Sequence, residues 1–356
     1  IPLRNVIPER DFHKEAILGE KVAQNHYKLS INHPEILAML KKDECIYLYD
    51  GSIRARVVEA SDNLVQTIVE NDGFLSSNKG INFPNTRINI DVITQKDKKD
   101  LLWGIQNNVD FLAISFVQNA HDIDEVKNIL AEHNAKIAIF AKIEKFDAVE
   151  NIDDIIYSSD GIMVARGDLG IEVPYYKVPN IQKEIIRKAN FASKPVITAT
   201  QMLFSLAKNL NATRAEISDV ANAVMDGTDA VMLSEESAVG IDPVNAVEVM
   251  SKTIIETEKH YPYNKFDHFQ LCDDTDKIMH SSAYLAKDLS ANAILALTSS
   301  GKSAMKMARY RPDTRIIAIA HSEKILNMLS IVWGVEPLVL VDKSDELTGL
   351  ITSSIK

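Results

Sequence analysis

Between about Phe111 and Met250 the chain alternates five short apolar runs with helical segments, and no other feature limits its fold as tightly. The runs cover 111–115, 137–142, 161–165, 195–200 and 229–233; the helical patterns cover 120–133, 147–157, 177–192, 213–226 and 243–260. Runs that are apolar on both faces, each followed by an amphipathic helix, describe a parallel sheet covered by its own crossover helices. Polar residues collect where each run ends: Ser115, Lys142 with Glu144, Arg166 with Asp168, Thr200 with Gln201, and Ser234 with Glu236. A (β/α)8 barrel gathers all its strand ends on one face, whereas a doubly wound sheet offers one switch point. Five loaded ends in succession predict the barrel. Only five of its eight strands are visible. A barrel left open would expose two strand edges, so the expectation is that the sequence as written omits residues of the protein. A chain truly of this length would instead be a degraded or non-catalytic relative.

The flanks read differently. Residues 46–48, 54–59 and 64–69 are short alternating runs punctuated by Asp50-Gly51 and Asp72-Gly73, and Asp-Gly between such runs predicts hairpins. After Tyr263 a second α/β region begins, with helices over 276–290 and 301–310 and strands over 293–297 and 315–320. The expected division is an unassigned segment 1–20, a candidate remnant of the barrel, then an all-β module 21–88, a barrel 89–260 and a C-terminal α/β region 261–356. Asp and Glu outnumber Lys and Arg by 50 to 39, for a net charge of -11. That balance disfavours duplex nucleic acid and anionic membrane as partners but leaves small anionic substrates open, because a metal or a few cations can reverse the field in a cleft. Two distant cysteines, Cys45 and Cys272, build no disulfide framework. No apolar stretch is long enough to span a bilayer, and the first twenty residues do not read as a secretory signal. A soluble, cytoplasmic protein is expected.

Lys142-Ile143-Glu144 places its two charged side chains on the same side of an extended segment. One strand later Arg166-Gly167-Asp168 supplies a second carboxylate. Two carboxylates from neighbouring strand ends are a usual way to hold Mg²⁺ or Mn²⁺ with positions left for substrate oxygens. A lysine beside that ion can neutralise a transferring phosphoryl group, and Gly167 lets backbone approach a ligand closely. The plain alternative is a salt-bridged sheet rim. Thr200 has a hydroxyl suited to a substrate carboxylate or a proton path, or to capping the next helix. Ser234-Glu235-Glu236-Ser237 could order a water chain or be an acidic solvated loop. Gly301-Lys302-Ser303 is no P-loop, because Ala296 stands where the earlier glycine is required.

Taken together, these strings resemble the pyruvate kinase family from about residue 30 onward. The markers are 141–144 (AKIE), 159–170 (SDGIMVARGDLG), 199–202 (ATQM), 213–216 (TRAE), 218–224 (SDVANAV) and 226–229 (DGTD). The resemblance implies a (β/α)8 TIM-barrel catalytic domain, here incomplete at its N-terminal side, with an inserted small β-barrel lid and a C-terminal α/β regulatory domain. It implies transfer of the phosphoryl group of phosphoenolpyruvate to ADP, giving pyruvate and ATP. Lys142 would stabilise the transferring group, and Glu144 and Asp168 would hold Mg²⁺ or Mn²⁺. Ala165, Arg166, Gly167, Asp168 and Thr200 would hold the substrate, with Thr200, Ser234 and Glu236 in the proton relay. Lys79, in the string NKGIN over 78–82, would approach the nucleotide phosphates. K⁺ is implied as well, but the family's N-terminal strings that supply its ligands are not found. A homo-oligomer, tetrameric in the family's manner, and a phosphorylated effector near 298–303 are further implications. Two other readings stay open: a non-catalytic relative, and a barrel lyase or aldolase handling a pyruvate enolate.

Overall fold

Short strands that alternate in burial open the chain. The computed structural model describes residues 7–8, 20–23 and 26–340, apart from 32, 50, 63, 76–78, 85, 88–91, 266–268 and 270–271. Contacts divide it into two units, one comprising Ile1–Val92, Glu144–Glu150 and Arg166–Pro179, the other Ile93–Ile143, Asn151–Ala165 and Asn180–Lys356. The first unit contains β1 (Ile7–Pro8), β2 (Glu20–Ala23), β3 (His26–Lys28), β4 (Cys45–Leu48), β5 (Ile53–Ser61), β6 (Leu64–Val69) and β7 (Ile81–Asn82). Strands β2 and β3 form a hairpin, and the remaining five make a sheet in the order β1-β6-β5-β4-β7. Period-2 alternation turns Ile53, Ala55 and Val57 of β5 into a core shared with Ile46, Leu48 and Val65. Asp50 of the anticipated first turn lies outside the described residues; Gly51 holds φ +78° between β4 and β5, a conformation glycine adopts without penalty. The second anticipated turn is not a hairpin. After β6 the chain passes Asp72-Gly73 and returns as β7 to pair with β4. Gly73 serves close packing instead, since a Cβ there would lie 2.5 Å from Ile53.

The second stretch runs α1 (Gln95–Gln106), β8 (Phe111–Ile114), α2 (Ala120–Glu132), β9 (Ala138–Ile143), α3 (Phe146–Glu150), α4 (Ile152–Ser158) and β10 (Gly161–Ala165). It continues through α5 (Arg166–Glu172), α6 (Val178–Phe191), β11 (Val196–Ala199), α7 (Arg214–Asp226), β12 (Ala230–Met232), α8 (Glu235–Ala238) and α9 (Pro243–Glu258). Helices α3 and α5 belong to the first unit, the rest to the second. The five strands form one parallel sheet in the order β12-β11-β10-β9-β8. Every residue of β10, the middle strand, is buried, as a strand covered on both faces requires. Gly161 opens β10 where a Cβ would fall 2.2 Å from the Phe140 ring of β9. Among the described residues no strand joins β8 to β12, so they show a five-stranded parallel sheet and not its closure into a barrel.

The second unit continues with α10 (Asp274–Asp288), β13 (Ala293–Leu297), α11 (Lys302–Ala308), β14 (Arg315–Ala320), α12 (Glu323–Leu329) and β15 (Val335–Leu340). The last three strands form a parallel sheet in the order β13-β14-β15, over a core that includes Met307, Tyr310, Ile316 and Leu329. Arg311 ties this layer to the five-stranded sheet. Its guanidinium donates to Asp229 Oδ1 at 3.0 Å, to the Gly227 carbonyl at 2.6 Å and to Asn190 Oδ1 at 2.9 Å. No helix among the described residues is long and apolar enough to cross a membrane.

Candidate active site

Parallel register decides which strand ends are neighbours. Ile114 lies opposite Ala141, Lys142 opposite Met163, Ala165 opposite Ala199, and Ala199 opposite Met232. Ser115 and Lys142 lie one step past the first pair, level with Met163; Ala165 ends β10 two residues further on, Thr200 lies one step past Ala199 and Ser234 two past Met232, so all five line the C-terminal edge of the sheet. Lys142 Nζ donates to Ser115 Oγ at 2.9 Å, so the end of β8 already holds the ammonium at the end of β9. Ser115 stood among the polar strand ends in the sequence, but its bond to Lys142 was not foreseeable without the register. Lys142, Thr200 and Ser234 are half-buried, and Ala165 is buried beneath them.

Three non-glycine residues on this edge are left-handed. Thr200 and Gln201 hold φ of +69° and +54°, and Phe116, directly after Ser115, holds +57°. A left-handed threonine is a genuine outlier because its branched Cβ crowds the backbone. Such conformations persist where the surroundings over-determine them, which is commonly at functional sites. Thr200 does not cap the next helix. Its hydroxyl donates to the Ala199 carbonyl at 2.6 Å, and the following 3₁₀ turn, Phe204–Ala207, begins after Leu203.

Glu236 is fully buried and its carboxylate is engaged. One oxygen accepts from the Leu203 N–H at 3.0 Å, the other from the Ser234 N–H at 2.8 Å. These bonds fix the loops after β11 and β12 against each other. The acidic string over 234–237 is thus no uniformly solvated loop: Glu236 points inward while Glu235 and Ser237 are exposed.

In the first unit, Arg166, Gly167 and Asp168 form the first turn of α5, a helix the sequence did not announce because its two glycines lower helix propensity. Buried Leu169 anchors it. Glu144 is 1% exposed and Asp168 half-buried; both offer the hard oxygen donors that Mg²⁺ and Mn²⁺ prefer. Among the described residues no group of three or more His, Cys, Asp or Glu side chains is placed to hold a metal. That fits an ion of this class, which takes one or two carboxylates and completes its shell with water and substrate oxygens. Lys79 lies with its ammonium 4.3 Å from the centre of the Tyr49 ring. Glu172, two residues beyond the string over 159–170, and Asn82, the last residue of the string over 78–82, form a part-buried contact in this unit, with Asn82 Nδ2 donating to Glu172 Oε1 at 3.0 Å. Burial pushes the Glu172 carboxyl above the ordinary range, against the Asn82 hydrogen bond and the Lys145 charge.

In the C-terminal layer, Gly301 takes φ +82° before α11, and its N–H donates to Thr298 Oγ1 at 2.8 Å.

A parallel sheet with crossover helices that lines a lysine and hydroxyls along its C-terminal edge defines an α/β protein whose chemistry sits on its strand ends. Comparison with known proteins gives the class a family. Residues 13–247 match the pyruvate kinase barrel domain, and residues 276–356 match the pyruvate kinase alpha/beta domain. A protein of Sporosarcina psychrophila named pyruvate kinase is 42% identical over 339 residues, covering 91% of this chain and 58% of that protein. Its namesake from Clostridium acetobutylicum is 41% identical over 344 residues, 95% of this chain and 72% of the relative. One from Staphylococcus aureus is 43% identical over 323 residues, 88% and 54% respectively. The chain belongs to the pyruvate kinase family. It spans between about half and three quarters of the length of these relatives.

Proposed function

We propose that this protein transfers the phosphoryl group of phosphoenolpyruvate to ADP, forming pyruvate and ATP. The observation that carries the reading is the Lys142 ammonium, oriented by Ser115 at the chemical edge of the parallel sheet, in a chain of this family. Held in that way, Lys142 would meet the charge that develops on the transferring phosphoryl group and on the enolate oxygen, without reorganising during the step. Glu144 and Asp168 would hold a divalent ion, which supplies charge neutralisation between the phosphoryl oxygens. Ala165, Arg166, Gly167 and Asp168, with the Thr200 hydroxyl, would orient the substrate. Thr200 and Ser234 would serve the proton that converts enolate to pyruvate, and Glu236 would act through Ser234, whose N–H it accepts. Lys79 would approach the nucleotide phosphates.

The same reading proposes the division into a β lid over 21–88, a barrel domain over 89–260 and a regulatory region over 261–356. It also brings a K⁺ requirement, a homotetramer, a phosphorylated effector near Thr298–Ser303 and a cytoplasmic setting. The test is pyruvate formation from phosphoenolpyruvate and ADP with Mg²⁺, with and without K⁺, on the purified protein and its Lys142→Ala variant. Turnover that collapses in the variant supports the kinase. Equal turnover in both removes Lys142 from the chemistry, and none in either favours a non-catalytic relative.

A further inference from the structure

Glu172 is a buried carboxyl of the first unit that no step above uses, and it faces a polar partner from a distant strand. It ends α5, four residues after Asp168, so the two lie one helical turn apart on the same side of the helix. It is 7% exposed. Its Oε1 accepts from Asn82 Nδ2 at 3.0 Å, and its Oε2 is buried with no hydrogen-bond donor among the described residues. Leaving a carboxylate oxygen buried and unmatched is costly, and a position that served packing alone would be better filled by an apolar side chain.

Asn82 closes β7, three residues after Lys79. Tyr47 of β4 pairs with Asn82 across the sheet, and Leu48 with Ile81. The Tyr49 N–H donates to the Gly80 carbonyl at 3.0 Å, and the Tyr49 ring lies under the Lys79 ammonium. Gly51, just beyond, approaches Ile171 so closely that a Cβ would contact it at 3.7 Å. The strand that follows Lys79 and the helix that carries Asp168 in its first turn are therefore joined by the Asn82–Glu172 hydrogen bond, supported by this apolar approach.

We infer that Glu172 is a positioning residue: through Asn82 it sets the Lys79 segment relative to α5, and so aligns the nucleotide side of the reaction with the metal side. This rests on the kinase reading above, which gives Lys79 and Asp168 their roles. The bond needs an acceptor at position 172, and a neutral amide oxygen meets that need as well as a carboxylate does.

The test compares Glu172→Ala, Glu172→Gln and Asn82→Ala with the parent protein. Two readouts are used: steady-state kinetics with phosphoenolpyruvate, ADP and Mg²⁺, and amide hydrogen exchange. Glu172→Ala is expected to lower kcat about tenfold or more and to raise the Mg²⁺ concentration needed for half-activation. Asn82→Ala should reproduce it, the double variant should add little to either, and Glu172→Gln should recover most of the parental kcat. In exchange, Glu172→Ala should release the amides of 80–82 together with those of 169–173. A kcat and Mg²⁺ requirement within twofold of the parent in Glu172→Ala would overturn the inference, whatever the change in Tm. Equal damage from Gln and Ala would overturn it too, since charge and not the acceptor would then matter. If the parent makes no pyruvate, the kinase reading fails by itself. The exchange experiment still decides the tether, because uncoupled release of the two segments would exclude it without any activity.

Discussion

The two edges of the five-stranded sheet are built from the same strands and do opposite things. At the N-terminal edge polar groups tie the strands together, although the Ser159 hydroxyl is buried without a hydrogen-bond partner among the described residues. Asp160 Oδ2 accepts from the Ile139 N–H at 2.9 Å, Lys194 Nζ donates to the Ser159 carbonyl at 2.6 Å, and Thr228 Oγ1 donates to the Val196 carbonyl at 3.0 Å. Asp229 does most: one oxygen accepts the Val196 N–H, and the other accepts Arg311 and the Trp333 N–H, each at 3.0 Å. At the C-terminal edge the side chains are half-buried, threonine and glutamine sit in left-handed conformations, and an ammonium projects from a strand end. Left-handed residues occur at both edges, Asn108, Asn134 and Ser193 before the strands and Phe116, Thr200 and Gln201 after them, but only the C-terminal set includes a β-branched residue, for which that conformation is a genuine outlier. Parallel α/β architecture allows this separation because all the strands point one way.

The sharpest way to break the comparison is to disarm the stable edge. The Arg311 and Asp229 side chains are 2% and 3% exposed. Asp229→Ala would leave a buried guanidinium without its counter-charge, at a cost of about 3–5 kcal/mol. Urea denaturation should show that loss, while whatever protein stays folded should keep a near-parental KM for phosphoenolpyruvate. A loss below about 1 kcal/mol would mean that the pair contributes no more than a surface bridge. The converse is Lys142→Met, which keeps the apolar stem and removes the charge from the chemical edge. It is expected to lower kcat by about a hundred- to a thousandfold, with a Tm close to that of the parent. If Tm falls as steeply as activity, the two edges are not separable.

Thr200→Gly tests the strain directly. Glycine accepts φ +69° without a Cβ penalty, so stability should rise by up to about 1 kcal/mol, part of the gain being offset by the freer unfolded chain. Activity should fall with the hydroxyl. Thr200→Ala loses the hydroxyl but keeps the strain, and a variant no less stable than Thr200→Gly would show that the left-handed backbone costs nothing.

Much of the chemical edge was legible in the sequence because buried parallel strands leave continuous apolar runs that stop abruptly at a polar residue. Gly161–Ala165, Ala293–Leu297 and Arg315–Ala320 coincide with such runs, and Leu64–Val69 with an alternating one. Elements held by tertiary contact left no such trace. Helix α5 carries two glycines, and α1 begins in a lysine-rich string whose start is fixed by Thr94 and Asp97 capping each other. The helix expected over 147–157 is two, broken at Asn151. The polar anchors Arg311–Asp229 and Glu172–Asn82 join residues far apart in the chain, and periodicity reports only on neighbours. Thr213-Arg214-Ala215-Glu216 was legible as a string but not as a device. It proves to be a capping box whose acid also reaches back to Ser205.

That acid gives the functional edge a pH sensitivity of its own, distinct from that of the N-terminal edge, where burial lowers the pKa of the Lys194 ammonium. Glu216 Oε1 accepts from the Ser205 N–H at 2.7 Å, and Oε2 accepts from the Ser205 hydroxyl at 2.6 Å and the Thr213 N–H at 2.8 Å. Burial alone would raise its carboxyl, but the hydrogen bonds from Ser205 and Thr213 outweigh it and hold the group below the ordinary glutamate range. A folded value below the unfolded one means that the unfolded chain binds more protons in between. Stability therefore rises with pH across that window. The contribution is complete above the ordinary glutamate value and is lost as pH falls through the lowered one. Glu216→Gln, which keeps one of the two oxygen acceptors and cannot titrate, should be less stable than the parent near neutrality and should approach it as the pH is lowered. Tm profiles that stay parallel down to acid pH would show that Glu216 holds the loop after β11 by shape alone.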